Sequence, residues 1–460
     1  MGAELLIDGG IGELRSALVD AGEILEIRLH RGGEPALEAV YLARVTAHAR
    51  DAGGVFLSLG KAGDAFLPLR KGRHRAAPSA GAILAVQIRA RAHEPGKAAT
   101  VGREIRLHGR YLTLARDGRG FDPAEVPLAG ARRAKLEEAL ESVVKAARLT
   151  LRPAAVAGPD EAVIAEGSRL FGQLRALAAA EGTPRLVLPP PDPLARILRD
   201  APAGRDRIRL GHRHLMPAVQ ALLRQWPDLA DRIALWREPT PLFEAHGVEA
   251  RLDELIAGRI SLPSGGRLWV EETHAATVID VDAGTAASGR PAPEAHRRTN
   301  EEAAVAVARL LRLADIGGLV LVDFIDPAGT AARAALLETL DRALAADPVP
   351  VHRSGLSGHG VLSLSRRRTG ASVRALLLAP VRPVLSTESA GLALLRRAEA
   401  TAERDPRPGT LVLTAPAVVL DWLAAQGHDA TLAARTARPV RLDPAAAGSD
   451  IEAMARIDPR

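Results

Sequence analysis

The sequence contains no cysteine. Disulfides, thiolate zinc sites and a cysteine nucleophile are thereby excluded. Aromatic residues are scarce, at 3% of the chain, so a surface that binds by base stacking alone is not expected. No apolar run approaches the ~20 residues needed to span a bilayer, and no N-terminal segment resembles a signal peptide. No membrane partner is expected, and the cytoplasm is the expected compartment. There is no internal repeat.

What is present describes a folded, multidomain chain. Hydrophobic residues make up 47% and charged residues 25%, ordinary values for globular proteins. At roughly 100–200 residues per domain, 460 residues imply about three or four units. The net charge of +6 permits an anionic partner without requiring one. The basic residues are mostly Arg, which suits phosphate recognition and equally matches a GC-rich coding bias.

Two stretches carry the chemistry. In Ala276–Asp282 (A-T-V-I-D-V-D), strand periodicity places Val278, Asp280 and Asp282 on one face and Thr277, Ile279 and Val281 on the other. In Gly317–Asp326 (G-G-L-V-L-V-D-F-I-D), a continuous apolar run ends in acids, the pattern of a strand buried on both faces. Asp323 and Asp326 point to opposite faces. Asp323 caps the run and is the one expected to join the first pair, whereas Asp326 precedes Pro327 and is expected to turn to solvent. A helix between the strands is read from Thr299, with Glu302 at capping-box spacing and Ala304, Val307, Ala308 and Leu311 recurring on one face. Strand, helix, strand is a crossover joining parallel strands. Both strands then end at the same sheet edge, where α/β folds bind ligands. Asp280 and Asp323 can meet there, and a hard divalent cation is their natural occupant. Solvated strand-end acids fit the same spacing.

The rest of the chain reads more coarsely. Leu5–Ile7 and Ile24–Leu29 flank an Asp20-Ala21-Gly22 turn, as in a hairpin. Short strands with turn signals from about 36 to 107 suggest a small β-barrel of OB type. Phe56 and Phe66 lie there near a basic cluster, Arg70, Lys71, Arg73, His74 and Arg75. Aromatics beside basic residues hold single strands; two core Phe residues and a solvated loop fit as well. Residues 132–147 show helical spacing, and Leu149–Arg152 reads as a strand. The proline cluster at 189–193 marks a boundary. A helix ends at Gly258, and a turn at Ser261–Gly266 leads into a strand at Arg267–Glu271. Val349–Arg368 reads as strand, Gly-rich loop and strand, closed by Arg366-Arg367-Arg368, either a phosphate contact or a solvated end. Residues 384–460 form a small α/β tail, with a strand at Thr410–Thr414 and a helix around Trp422.

Six motifs in order resemble the catalytic core of the RNase E/G endoribonucleases. They are P-L-F-E-A-H-G-V-E (Pro241–Glu249), L-P-S-G-G (Leu262–Gly266), V-I-D-V-D-A-G (Val278–Gly284), T-N-E-E-A-A (Thr299–Ala304), L-R-L-A-D-I-G-G-L-V-L-V-D-F-I-D (Leu311–Asp326) and G-V-L-S-L-S-R-R-R (Gly360–Arg368). Upstream, G-V-F-L-S-L-G-K-A-G-D-A-F-L-P-L resembles the family's RNA-binding barrel of the ribosomal S-one type.

The resemblance implies a multidomain α/β (α+β) chain. Its parts would be an RNase H-like subdomain from 1–35 and 206–264, an inserted OB-fold barrel at 36–107, a 5′-sensor-like region at 108–205, a DNase I-like catalytic subdomain at 265–380 and a small C-terminal α/β domain at 381–460. It implies that Asp280 and Asp323 hold a catalytic Mg2+, and that Asp282 supports the first of them. Phe56, Phe66 and Lys97 would clamp RNA, and Arg152 would contact a 5′-monophosphate. The implied activity is Mg2+-dependent cleavage of single-stranded RNA by a metal-activated water, leaving 5′-phosphate and 3′-hydroxyl ends, in RNA processing or decay. The chain departs from the family pattern at several places. Asp282 stands for Asn, His274 and Ser363 for Glu, and Pro153 for Thr, which removes a hydroxyl and an N–H from the sensor. The departures at His274, Asp282 and Ser363 motivate a second reading, a non-cleaving RNA-binding member acting in ribosome or RNA-complex assembly. The family's cysteine-based zinc link cannot form, so a zinc-linked tetramer is excluded and a homodimer through another surface stays open.

Overall fold

Leu5 and Leu6, neighbours on one strand, serve two different hydrophobic cores. Their strand, Glu4–Gly9, is the middle of a five-stranded sheet ordered Ile233–Leu235, Arg207–Leu210, Glu4–Gly9, Glu13–Asp20, Glu23–Arg31. Successive side chains leave a strand on opposite faces, so a central strand covered on both sides feeds both cores. The computed structural model describes residues 3–31, 36–49, 51–69, 77–90, 98–122, 126–204, 206–287, 291–327, 329–379, 385–405, 407–445 and 454–459. They form a mixed α/β chain with two compact units, Met1–Ala379 and Pro380–Arg460.

The N-terminal hairpin expectation is corrected. The segment forms three strands, and the turn at Ala21-Gly22 joins the second to the third. Glu13–Asp20 escaped notice because Glu13, Arg15 and Ser16 interrupt its apolar pattern, although Ala17 and Val19 are buried.

Five strands close a barrel: Val40–Ala49, Gly54–Ser58, Asp64–Pro68, Ala99–Gly102 and Ile83–Ala90, the last pairing back with the first. Its core holds Tyr41, Val45, Val55, Leu57, Leu67, Val86 and Ile88. Arg185–Leu188 adds to the Val40–Ala49 strand from outside the ring. A separate four-stranded sheet contains Arg106–His108, Leu112–Ala115, Gly120–Asp122 and Arg148–Leu151. The helical spacing at 132–147 belongs to two helices, Gly130–Ala139 and Glu141–Ala146. Arg110 ties this region to the five-stranded sheet's flank. Its fully buried guanidinium lies 2.6 Å from Asp228, which also accepts from the Tyr111 hydroxyl at 2.6 Å.

The sheet that carries the acids is ordered Arg259–Ser261, Arg267–Glu272, Thr277–Asp282, Gly318–Asp323, Val361–Arg366, Val351–Arg353. Its central pair is parallel and the other pairs are antiparallel. Ile279, Val281, Val320, Val322, Leu362 and Leu364 share one core with residues of the helices Ala292–Leu313 and Gly329–Leu344. Burying a side chain of this size contributes about 1.5–3 kcal/mol. The opposite face is open and leaves Trp269, Val278 and Leu319 exposed.

The crossover helix begins at Ala292, not at Thr299. Pro is compatible with a first helical turn and Glu is favourable there, so Pro293 and Glu294 start the helix instead of preceding it. Thr299 is fully buried inside it. Glu302 caps something else: it accepts from the Ser264 N–H at 2.8 Å and pairs with Arg298 at 3.0 Å.

The C-terminal unit has three strands, Val440–Pro444, Gly409–Ala415 and Met454–Pro459, in that order. Its helices Thr387–Arg404, Ala417–Ala425 and His428–Thr436 join them around Leu394, Leu411, Leu413, Val419 and Leu423. Among the described residues no helix is long and apolar enough to cross a membrane.

Candidate active site

Asp280 and Asp323 are direct register partners on the two parallel strands. Asp323 ends its strand and Asp280 lies two residues before the end of its own, and both are exposed on the open face. Paired positions in a sheet project side by side, so the two carboxylates are neighbours. Burial, and then the charges of Asp323 and Asp282, hold the Asp280 carboxyl above the usual carboxylate range, against the opposing pull of the Val281 N–H. Among the described residues no cation pairs with either acid. Asp326 lies apart, 71% exposed and 2.9 Å from Arg333.

Asp282 shares their face but is engaged elsewhere. One oxygen accepts from the Gly284 N–H at 2.8 Å and the other lies 3.1 Å from Nε of Arg267. Its extra charge is thus matched by the residue opposite it on the neighbouring strand.

Two further residues fix the edge. Buried Asn300 donates from Nδ2 to the Ile325 carbonyl at 2.6 Å and accepts from the Ile325 N–H at 3.2 Å. It clamps the chain just past Asp323 to the crossover helix. Gly360 has φ +84°, and a Cβ there would lie 2.6 Å from the Phe324 carbonyl oxygen, so only glycine lets the next strand enter beside Asp323. The T-N-E-E and Gly-rich motifs contained both, but neither role follows from spacing.

Phe56 and Phe66 pair across two barrel strands with ring centroids 5.4 Å apart. Phe56 is 40% exposed, and neither ring belongs to the barrel core. The core-Phe reading is therefore corrected: the pair lies on the outside of the barrel. Gly54 makes room, since a Cβ there would meet the Phe66 ring at 2.3 Å. Lys97 and the basic cluster Arg70, Lys71, Arg73, His74 and Arg75 lie outside the described residues.

Arg152 sits at the end of the Arg148–Leu151 strand. Its Nη2 is 2.7 Å from Asp200, and Nη1 donates to the Gly109 carbonyl. Arg366 corrects an expectation. It is 1% exposed, with Asp347 at 2.8 Å and Asp315 at 3.0 Å, so it is a core ion pair and not a phosphate contact. Strand alternation turns it inward while Arg367 and Arg368 stay exposed. His274 lies in the turn before the Thr277–Asp282 strand, at the end opposite the acids. Ser363 shares a rung with Leu321 on the open side.

Adjacent carboxylates in register, repelling each other and without a described counterion, fit a hard divalent cation. Among the described residues no group of three or more His, Asp or Glu side chains could hold a metal. The acid pair could therefore hold an ion that keeps water and substrate phosphate as its other ligands, which is the habit of Mg2+.

The profile of the Ribonuclease E/G family matches residues 107–369. Ribonuclease E of Nostoc sp. is 33% identical over 279 residues, 58% of this chain and 40% of that protein. Ribonuclease E of Escherichia coli is 28% identical over 391 residues, 78% of this chain and 36% of the relative. Ribonuclease G of Escherichia coli is 32% identical over 184 residues, 40% and 38% of the two chains. The chain thus spans well under half the length of each of these relatives.

Proposed function

We propose that this chain, which belongs to the Ribonuclease E/G family, is a magnesium-dependent endoribonuclease acting on single-stranded RNA. The observation that carries the reading is the register pairing of Asp280 with Asp323 at the C-terminal edge of parallel strands. When bound there, Mg2+ would activate water and offset charge on the scissile phosphate. Asp280 and Asp323 would hold the ion, and Asn300 and Gly360 keep the second acid in place. Asp282, paired with Arg267, keeps the loop after the first strand closed. Water forms the new P–O bond as the P–O3′ bond breaks, so the products carry a 5′-phosphate and a 3′-hydroxyl.

The closed barrel is proposed as the OB-type module that holds the strand, with exposed Phe56 and half-buried Phe66 stacking bases. The five-stranded sheet would be the RNase H-like part, and the acid-bearing sheet the DNase I-like part. Cleavage of a single-stranded oligonucleotide with Mg2+ tests the reading, repeated on Asp280→Asn. Loss of about 10²–10³-fold in rate is expected for removing one charge-stabilising ligand, with 5′-phosphate ends in the wild-type products. A 2′,3′-cyclic phosphate would show attack by the 2′-hydroxyl instead. Equal RNA binding with no cleavage by either protein would support the assembly role, which the His274, Asp282 and Ser363 departures motivate.

A further inference from the structure

Arg259, Trp269, Asp280 and Asp323 stand in one line across four neighbouring strands. Arg259 pairs with Trp269, Trp269 with Asp280, and Asp280 with Asp323. Residues paired across a sheet project from the same face. A guanidinium, an indole and two carboxylates therefore follow one another along a single rung. Neighbouring strands lie about 4.8 Å apart, so the indole is one strand from the first acid and the guanidinium two.

Trp269 differs from the chain's other three tryptophans. Trp226 is buried and donates to Glu166 at 3.0 Å. Trp236 donates to the Thr240 carbonyl at 2.8 Å and meets His246 edge-on. Trp422 lies against His428. Trp269 is 41% exposed and, among the described residues, has no hydrogen-bond or ring partner. Arg259 is exposed and has no ion-pair partner among the described residues. Trp269, Val278 and Leu319 leave apolar surface exposed on this one sheet face, and an apolar patch rimmed by charged groups marks a binding surface.

We infer that Trp269 and Arg259 form a nucleotide subsite beside the acid pair. The base next to the phosphate that a cation bound by Asp280 and Asp323 would hold stacks on the indole, and the following phosphate meets Arg259. This rests on the endoribonuclease reading above. The order of groups along the rung carries the choice of occupant. Metal site, indole and guanidinium match phosphate, base and phosphate along one strand of RNA. A second copy of the chain laid on this face would instead bury four carboxylates against two Arg259 guanidiniums, and an unpaired excess of buried charge is strongly unfavourable. Stacking on an indole accepts any base, so the subsite positions the strand more than it selects a sequence.

The test compares wild type with Trp269→Ala, Trp269→Phe and Arg259→Ala, using a single-stranded RNA oligonucleotide and Mg2+. Trp269→Ala should raise KM by about 5- to 150-fold, the range of one base–aromatic stack, with kcat little changed. Trp269→Phe should restore most of the loss. Arg259→Ala should reduce the slope of log affinity against log salt by about 0.7, one single-strand phosphate contact. Independently of cleavage, the oligonucleotide should quench the fluorescence of wild type more than that of folded Trp269→Phe. Equal quenching in the two, or an unchanged KM in Trp269→Ala, overturns the subsite. Conversion of a dimer to a monomer by Trp269→Ala in sedimentation also overturns it and gives the face to a second copy. Failure of the two readings is distinguishable. Quenching at Trp269 in a protein that never cleaves RNA keeps the subsite and removes the nuclease; cleavage abolished by Asp280→Asn but untouched by Trp269→Ala does the reverse.

Discussion

Arg267 and Asp282 face each other across two antiparallel strands, with Nε 3.1 Å from the carboxylate. The second oxygen of Asp282 accepts from the Gly284 N–H at 2.8 Å. An acid committed to a cross-strand cation and a loop amide is a brace, unlike Asp280 and Asp323.

Asp282→Asn should therefore retain cleavage. The amide oxygen still accepts from Gly284, and loss of a half-exposed ion pair costs no more than about 1 kcal/mol. A rate within about tenfold of wild type is expected, one step on the scale where 1.36 kcal/mol is tenfold. A loss as large as that of Asp280→Asn in the same assay would make Asp282 a working part of the site.

The raised carboxyl of Asp280, caused by burial and then by Asp323 and Asp282, has a consequence for stability. Without a cation, the folded protein binds that proton more tightly than the unfolded chain, whose Asp titrates near about 3.9. The stability linked to the proton is fully present below that pH and is lost as pH rises through the raised value. Asp280→Asn removes the penalty. In EDTA, the variant should melt above wild type at neutral pH, and the gap should close as pH is lowered. Thermal denaturation across a pH series checks this, and a variant that melts below wild type at neutral pH contradicts it.

Arg366 should matter to folding and not to RNA. Arg366→Ala leaves Asp347 and Asp315 without their buried partner, a loss of about 3–5 kcal/mol. Denaturant unfolding should show it, while the salt dependence of RNA binding by the folded fraction stays unchanged. Lys at 366 should rescue only partly, because it lacks the planar fork.

Arg152 is already paired with Asp200, and Pro153 has no N–H to offer a phosphate. The 5′-monophosphorylated and 5′-hydroxyl forms of one oligonucleotide should be cut at the same rate. Faster cutting of the monophosphate, lost in Arg152→Ala, would show that the guanidinium changes partner.

Much of this site was legible because strand period and apolar runs are local signals. The alternation in Ala276–Asp282 and the acid closing Gly317–Asp323 were enough to place Asp280 beside Asp323, and the barrel strands announced themselves in the same way. The misreadings have local causes too. The Thr299–Glu302 spacing matched a capping box inside a helix that already starts at Ala292, and the polar residues of the Glu13–Asp20 strand masked the buried apolar side chains of Ala17 and Val19. What sequence spacing could not give was partnership between distant residues. Arg152 meets Asp200 from 48 positions away, Arg366 turns inward to Asp347 and Asp315, and Trp269 reaches Asp280 through strand register alone. Each depends on how separate elements meet, which no window of neighbouring residues encodes.

One ion shared by two acids is most directly tested by counting it. Titration of the protein with Mn2+ in place of Mg2+, with free ion followed by electron paramagnetic resonance, should show one site in wild type that is lost or greatly weakened in Asp280→Asn and equally in Asp323→Asn. Wild-type affinity retained by either single variant would contradict a shared ion, and with it the metal-dependent cleavage built on Asp280 and Asp323.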